Sequence, residues 1–327
     1  MRFVVRRLAF YVVALWAAVT VNFMIPRVMP GNALDSVLGR FQDLTPGVVR
    51  ALEIQFGIGH KGSIISQYFQ YWNNVLHFNL GTSTSQYPTH VTTIIGQTLP
   101  WTLGLVGVAT ILSFSIGTLL GIFAAWRRGG WLDRTLSGLM LLQATPYFIL
   151  ALPLIGLFAI KLGWLPYGQG YSLGLTPGFN WSFIHSVIMH SILPVLTIVA
   201  TSVAGWMLQM RNVMLTTISE DYVLVAQAKG LRSRRVIFSY GARNAILPNI
   251  AGFALALGFV VAGALVMEYV FSYPGIGLTL YNAVTSNDYP LLQGIFLVIS
   301  LTVLSASLLA DIVYAVADPR ARSRSAF

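Results

Sequence analysis

Six apolar runs of membrane-spanning length alternate with polar segments along the chain. They occupy residues 8–26, 101–126, 135–160, 190–210, 249–267 and 291–310, and none contains Asp, Glu, Lys or Arg. A helix needs about 20 apolar residues to cross a hydrocarbon core about 30 Å thick. The pattern therefore predicts an all-α fold, a polytopic membrane protein with six transmembrane helices.

The first run follows Arg2, Arg6 and Arg7, an arrangement that also begins a secretory signal peptide. A signal peptide has an apolar region of about 7 to 15 residues, followed by a small-residue cleavage site. This run is longer, and no A-x-A-like site follows it. We therefore expect that this helix is retained. Residues 1–29 then comprise the N-terminal segment and the first transmembrane helix.

The charge distribution gives the orientation. The chain is 56% apolar and only 9% charged, with a net charge of +10 that could also indicate nucleic acid. With the N terminus inside, however, only five of the 20 basic residues lie outside: Arg27, Arg40, Arg50, Lys61 and Lys161. Cytoplasmic loops carry such a basic excess. We expect both termini in the cytoplasm, contact with membrane lipid, and no nucleic-acid partner.

Residues 30–99 form a long extracytoplasmic loop that carries its own helix signals. Thr45 can cap a helix that has Pro46 at its first position and Gly57 as its stop. A second run, residues 63–78, repeats apolar and aromatic residues at helical spacing. We expect two interfacial helices, which either anchor the loop or help to receive a partner. Residues 100–327 then form the core domain with spans two to six.

Two of the core spans carry features that affect helix packing. Pro146 and Pro153 predict a kink in the third span, because proline removes a backbone hydrogen bond. Ala254, Gly258 and Ala262 form a small-residue row in the fifth span, which predicts the close approach of another helix.

The chain lacks the residues for ATP hydrolysis. A P-loop needs Gly-Lys followed by Ser or Thr, and none of Lys61, Lys161 and Lys229 stands in that context. The histidines show no metal-ligand spacing, and no H-E-x-x-H or G-x-S-x-G motif occurs. We expect no metal, cofactor or catalytic residue in this chain. Glu268 and Asp311 lie at span ends, which weakens an ion-coupled carrier without excluding it, because backbone carbonyls can bind an ion.

The inner loop between spans four and five, residues 211–248, predicts two helices. Ser219 can cap the first, Asp221 lies in its first turn, Lys229 in its last, and Gly230 stops it. One face of this helix carries Tyr222, Val225, Ala226 and Lys229, with Ala226 as a small residue among larger ones. We expect this face to contact a docking partner. The arginines Arg232, Arg234 and Arg235 begin a second helix that ends before Pro248. The alternative is an amphipathic loop held to anionic lipid.

This loop resembles the coupling segment of permease subunits in ATP-binding-cassette importers, in the form of the dipeptide/oligopeptide subgroup, DY-x3-A-x-AKGL followed by RNA-[IL]-[IL]-P. The matching residues are Asp221, Tyr222, Ala226, Ala228, Lys229, Gly230, Leu231 and the RNAILP of residues 243–248. Leu224 and Val225 stand where the wider family has Glu and Ala. Further blocks agree at LGTS (80–83), EYVFSYPGIG (268–277) and DYP (288–290), and in the tail at Asp311, Tyr314 and DPR (318–320).

The resemblance implies a multi-pass permease in the inner membrane of a prokaryotic cell. It implies four partners: a second, homologous permease, two ATPase subunits that bind ATP and Mg²⁺, and an extracytoplasmic solute-binding protein. The cargo expected first is di- and oligopeptides, with oligosaccharides and nickel chelates as alternatives. An ion-coupled carrier and a membrane scaffold or enzyme remain as other classes.

The resemblance also implies roles for two sets of residues. The ATPase-coupling helix comprises Asp221, Tyr222, Val225, Ala226, Lys229, Gly230 and Leu231, and Arg232, Arg234 and Arg235 contact either ATPase acids or lipid. The family-pattern positions at the outer helix ends are Glu268, Pro274, Gly275, Gly277 and Asp288. Glu268 and Asp288 are expected to be helix-end polar groups rather than substrate ligands.

Overall fold

The computed structural model describes residues 2–29, 47, 63–261 and 265–317, which are helical for most of their length. Four of their helices are long and apolar enough to cross a membrane: α1 (Arg2–Val28), α3 (Val91–Trp126), α6 (Trp181–Ile218) and α12 (Tyr289–Ala317). They contain the predicted runs one, two, four and six. These four predictions of apolar helices are therefore confirmed.

The third run is broken rather than kinked. Helix α4 (Trp131–Ala144) and helix α5 (Tyr147–Leu154), which continues as a π-helix over Ile155–Lys161, meet at an angle of 98°. Thr145 has an extended backbone at the break, as expected for a residue before proline. The prediction of a bend at Pro146 is confirmed, and the bend is far sharper than a kink. Pro153 stays inside α5, two residues before the π-helical turns begin.

The fifth run does not form one continuous helix. It contributes α9 (Leu247–Phe259) and α10 (Leu265–Val270), and Val260 and Val261 between them lie in a turn. The 13 residues of α9 reach about 20 Å, less than the hydrocarbon thickness. The prediction of a single helix over residues 249–267 is wrong, because the helical hydrogen bonding stops at Phe259.

The chain divides into two compact units, each with its own packing. The first contains the described parts of Met1–Thr102, Val261–Leu265 and Pro274–Ser305. Its core joins the start of α3, the helix α11 (Ile276–Thr285) and the start of α12. The buried residues of this core are Val91, Ile94, Ile95, Ile276, Leu280, Ala283, Leu291, Leu292 and Ile295.

The outer helix α2 (Ile64–Leu76) belongs to the first unit and packs on α1. It was predicted over residues 63–78, and Ser63 caps it by accepting a hydrogen bond from the backbone of Ser66. Tyr71 accepts a hydrogen bond from Asn22, and burial raises the pKa of this Tyr71 hydroxyl to about 12. The other predicted outer helix, over residues 45–57, lies outside the described residues apart from Gly47.

The second unit is built around α6. It contains the described parts of Leu103–Val260, Val266–Tyr273 and Ala306–Phe327. On α3, a β-carbon added to Gly117 would lie 2.6 Å from the Val203 carbonyl oxygen, and one added to Gly121 would lie 2.5 Å from that of Met207. Since no side chain fits these gaps, the two glycines let the backbones of α3 and α6 touch. Gly258 likewise packs against Ala306, which confirms the small-residue row at that position; Ala262 is outside the described residues.

Candidate functional site

The inner loop begins with the two-turn helix α7 (Asp221–Ala228). Its N-cap is Glu220, whose backbone is extended (φ −72°, ψ 144°), and no side chain caps the helix. Ser219 instead has a helical backbone and ends α6, and its hydroxyl donates to the Thr216 carbonyl at 2.7 Å. The prediction that Ser219 caps this helix is therefore wrong. Asp221 does lie in the first turn, where the helix dipole favours a carboxylate.

The inward face of α7 packs against the chain itself. Val223 is 0% and Ala226 3% exposed, and both cluster with the buried Val236. Trp126 at the end of α3 and Tyr240 pack around them. The prediction that Ala226 is presented to a docking partner is wrong, because this small residue lets α7 sit closely on its own support.

The outward face of α7 is different from the predicted one. With about 100° between successive residues, the side opposite Val223 and Ala226 carries Asp221, Leu224, Val225 and Ala228. All four are exposed; Leu224 and Val225 are 49% and 51% exposed. We call these four residues the outward face of α7. The small residue on this face is Ala228. It belongs to the sequence pattern, but the prediction had chosen the face that contains Ala226 instead.

Tyr222 lies at the edge of that face and is held in place. Its hydroxyl accepts a hydrogen bond of 2.9 Å from the Asn244 side chain, so the DY and RNA parts of the sequence pattern are in contact. Lys229 forms the C-cap, and Gly230 follows with φ +71°, a left-handed conformation that favours glycine. The predicted stop at Gly230 is confirmed. Leu231 packs beside the α7 cluster.

The basic residues after α7 are all exposed. Arg232, Arg234 and Arg235 make no ion pair with the part of the chain that the structure describes, and the same holds for Lys229. These side chains can therefore contact either an acidic protein surface or anionic lipid headgroups. Both of the contacts predicted from the sequence, ATPase acids and lipid, are compatible with this exposure.

Helix α8 carries this basic segment back to the core. It starts at Ser233–Arg235, becomes π-helical over Val236–Ala242 and returns to α-helix over Arg243–Ala245. The helix itself was predicted, but its π-helical turns were not. Gly241 lies so close to Met214 on α6 that an added β-carbon would be 2.6 Å from its terminal methyl. Gly241 within residues 236–242 could have indicated this close helix contact from the sequence.

An ion pair that the sequence interpretation missed joins α6 to the first turn of α4. Arg211 on α6 donates to the Asp133 carboxylate in the first turn of α4, and the Gly129 backbone donates to the same carboxylate at 2.9 Å. Asp133 is the one acid in an inner segment with Arg127, Arg128 and Arg134. A single acid among three arginines could have indicated an ion pair at this position.

In the first unit, two blocks of the sequence pattern meet at Asp288. The carboxylate is fully buried and accepts hydrogen bonds from the Ser83 hydroxyl and from the Ser85 backbone and hydroxyl, the latter two at 2.9 and 2.6 Å. Its other oxygen accepts the backbone N–H of Leu291 at 3.2 Å, in the first turn of α12. Asp288 is thus a helix-end group that also fastens the outer loop. Ser85 was not singled out from the sequence.

The other outer positions are helix-end residues. Gly275 is the N-cap of α11, with Pro274 before it and the buried Gly277 after it. The Ile276 backbone donates to the Thr102 hydroxyl at 2.8 Å, within the same unit. Glu268 belongs to α10 in the second unit and is fully buried there.

The comparison with protein families gives one matching description. The sequence model of the family described as "Binding-protein-dependent transport system inner membrane component" matches residues 117–323. This range includes α7, α8 and the outer residues Glu268 to Asp288.

Individual relatives match over nearly the full length. A protein of Brucella suis biovar 1 that carries the name of a peptide permease is 34% identical over 321 residues, 98% of each chain. The oligopeptide transport system permease protein AppB of Bacillus subtilis is 32% identical, over 97% of this chain and 98% of its own. The di/tripeptide transport system permease protein DppB of Pseudomonas aeruginosa is 31% identical, over 98% of both.

Proposed function

Because the chain belongs to the family of binding-protein-dependent transport system inner membrane components, we propose that it is one permease subunit of an ATP-driven importer of peptides. Its relatives bear the names of peptide, oligopeptide and di/tripeptide permeases, which is the support for this cargo. ATP is hydrolysed by separate subunits, and an extracytoplasmic solute-binding protein delivers the peptide.

The proposed assembly contains a second, homologous permease and two ATPase subunits. In it the chain crosses the membrane six times with both termini in the cytoplasm. The bent pair α4–α5 forms the third crossing, and the segment that begins with α9 forms the fifth. The four long apolar helices and the basic inner segments support this arrangement.

The outward face of α7 is the observation that carries the proposal. A two-turn helix is too short to be stable by itself. Here Val223 and Ala226 fix it to the chain, while Leu224, Val225 and Ala228 stay exposed. Such a rigid apolar surface, beside four basic residues that make no ion pair within the described parts of the chain, suits a groove in an ATPase subunit with acids at its rim. A movement of the docked α7 would pass to α3 through Trp126, which packs in the same cluster.

The test uses the complete complex in proteoliposomes, with a labelled alanine tripeptide as cargo. We expect ATP-dependent uptake that needs the binding protein, and no ATP hydrolysis by this chain alone. A trisaccharide and a nickel–histidine chelate serve as competitors. If either is imported and the tripeptide is not, the cargo assignment is wrong; if uptake follows an ion gradient without ATP, the importer class is wrong.

Leu224→Asp provides the residue-level test, with Gln227→Asp on the flank of the same helix as the matched control. Placing a carboxylate on the outward face opposes docking into an apolar groove, so we expect Leu224→Asp to reduce co-purification of the ATPases and Gln227→Asp to reduce it much less. Equal co-purification of both variants would show that the outward face does not bind the ATPases.

A further inference from the structure

Two glutamine side chains in the second unit share an unusual setting. The Gln143 carboxamide, near the end of α4, lies over Gly205 of α6, with its nitrogen 3.0 Å from where a β-carbon of Gly205 would be. The Gln209 nitrogen lies 3.6 Å from the corresponding point of Gly252 on α9. Gly205 and Gln209 are four residues apart, so they lie on one face of α6. The two carboxamides therefore line the same side of this helix.

Gln143 and Gln209 are both exposed residues, and their carboxamides make no hydrogen bond within the described residues. Other polar side chains in the long helices behave differently. Ser113, Thr197 and Thr201, for example, donate to backbone carbonyls of their own helix. Within the described residues, Gln143 and Gln209 thus keep a hydrogen-bond donor and an acceptor each that are not used inside the chain.

Lipid is a poor environment for such groups. Gln143 is ten residues from Asp133 along α4, and the Gly205 beneath it is six residues from Arg211 along α6, so at about 1.5 Å per residue it lies about 9 to 15 Å from this ion pair. Gln209 is two residues from Arg211 along α6 and therefore lies close to the ion pair. An exposed amide at the depth of Gln143 has no partner in hydrocarbon, so it faces water or a bound polar group.

The chemistry of the two carboxamides indicates which class of ligand they would bind. A carboxamide offers one N–H donor group and one C=O acceptor, which is the complement of a peptide unit. It is neutral, and so it contacts a main chain whatever the charge of the side chains. This deduction rests on the proposed function, because only a peptide cargo presents such a main chain.

We infer that Gln143 and Gln209 form a contact site for the main chain of the peptide cargo, along the α6 face that leads toward the cytoplasmic end. Gln143 is the deeper contact and Gln209 the inner one. Gly205 positions Gln143 because it leaves room for the carboxamide.

The first experiment measures access to water. Because the sequence has no cysteine, single cysteines can be introduced without background in this chain. In the assembled complex we expect Gln143→Cys to react with a membrane-impermeant thiol reagent, and the alanine tripeptide with ATP to slow that reaction. The matched control is Leu141→Cys, which is 73% exposed on the opposite side of α4 and should stay unreactive. Equal reactivity of the two cysteines, or no effect of the tripeptide, overturns the inference.

The second experiment measures transport of two cargoes, the alanine tripeptide and its backbone N-methylated analogue. We expect Gln143→Leu to lower the maximal uptake of the unmodified tripeptide about two- to tenfold, the worth of one lost hydrogen bond. The loss should be smaller for the N-methylated analogue, with ATPase co-purification unchanged. Loss of assembly would instead place Gln143 in a subunit contact and overturn the inference.

Gly205→Ala tests the same site without removing the amide. The added methyl group would lie 3.0 Å from the Gln143 amide nitrogen and push the carboxamide aside slightly, whereas the contacts made by Gly252→Ala are of ordinary length. We expect only Gly205→Ala to reproduce the cargo-dependent loss. Failure of the unmodified complex to import any peptide would overturn the proposed function and this inference together. Normal import that is unaffected by Gln143→Leu and Gly205→Ala would overturn the contact site alone.

Discussion

The Asp288 carboxylate accepts a hydrogen bond from the Ser85 backbone at 2.9 Å, although 203 residues separate them in the sequence. The Ser83 and Ser85 hydroxyls donate to the same oxygen. A loop before α3 is thereby tied to the first turn of α12, within one compact unit.

Removing this carboxylate should loosen the loop. We expect Asp288→Ala to lower the free energy of unfolding by about 2 to 3 kcal/mol, because it removes the buried acceptor that the Ser83 hydroxyl and the Ser85 backbone and hydroxyl share. Thermal denaturation of the purified chain in detergent measures the change. Asp221→Ala, which removes an exposed carboxylate, is the control and should have a small effect. Equal stability of the two variants would mean that the Asp288 hydrogen bonds contribute little.

Two alanines of α7 should respond differently to the same enlargement. Ala226→Trp overpacks the cluster with Val223 and Val236, at a cost of about 1 to 3 kcal/mol in the stability of the chain itself. Ala228→Trp should leave the stability nearly unchanged and weaken ATPase binding, because Ala228 lies on the outward face. Denaturation of the chain and co-purification of the complex separate the two effects. The assignment of faces fails if Ala228→Trp alone destabilises the chain.

Glycines of α3 provide a second matched pair. Gly121→Ala would place a methyl group 2.5 Å from the Met207 carbonyl oxygen and force the two helices apart, whereas nothing lies within 4 Å of a β-carbon at Gly104. We expect Gly121→Ala to destabilise the chain by about 1 to 3 kcal/mol. Gly104→Ala should be neutral or slightly stabilising, since alanine favours a helix more than glycine. The result that would contradict this close contact is an equal effect of both changes on the melting temperature.

The proposed topology can be read by cysteine labelling in intact cells. Thr176→Cys lies in the exposed segment between α5 and α6, and Ser233→Cys lies at the start of α8. An impermeant reagent added outside should label the first and not the second. The opposite pattern would invert the orientation that the basic residues predict.

The sequence predicted some parts of the fold better than others, for physical reasons. Long apolar helices follow from composition alone, so α1, α3, α6 and α12 were recognisable. The interruption after Phe259 was not, because the apolar run continues through it and only the backbone geometry changes. The bend at Pro146 was predicted, since proline acts locally, but its angle depends on packing.

The site shows the same limit. The stop at Gly230 follows from one residue, and it was correct. Which alanine faces outward depends on which side of α7 packs against Trp126 and Val236, and both of these residues lie outside the helix. The sequence pattern alone pointed to Ala226, whereas the outward alanine is Ala228. Asp288 was recognised as a helix-end residue, but its contact with Ser85 depends on tertiary structure.

The break at Thr145 also bears on how the protein is made. Residues 135–160 are one uninterrupted apolar stretch, and the machinery that inserts nascent chains responds to such hydropathy. The corner between α4 and α5 frees backbone groups that lipid cannot satisfy, so it needs neighbouring protein or water. Helix α6, which packs along α4 through Met207 and Leu136, is synthesised only afterwards. We therefore expect this segment to enter the bilayer straight and to bend later, so that biogenesis of the corner is a folding step rather than an insertion step.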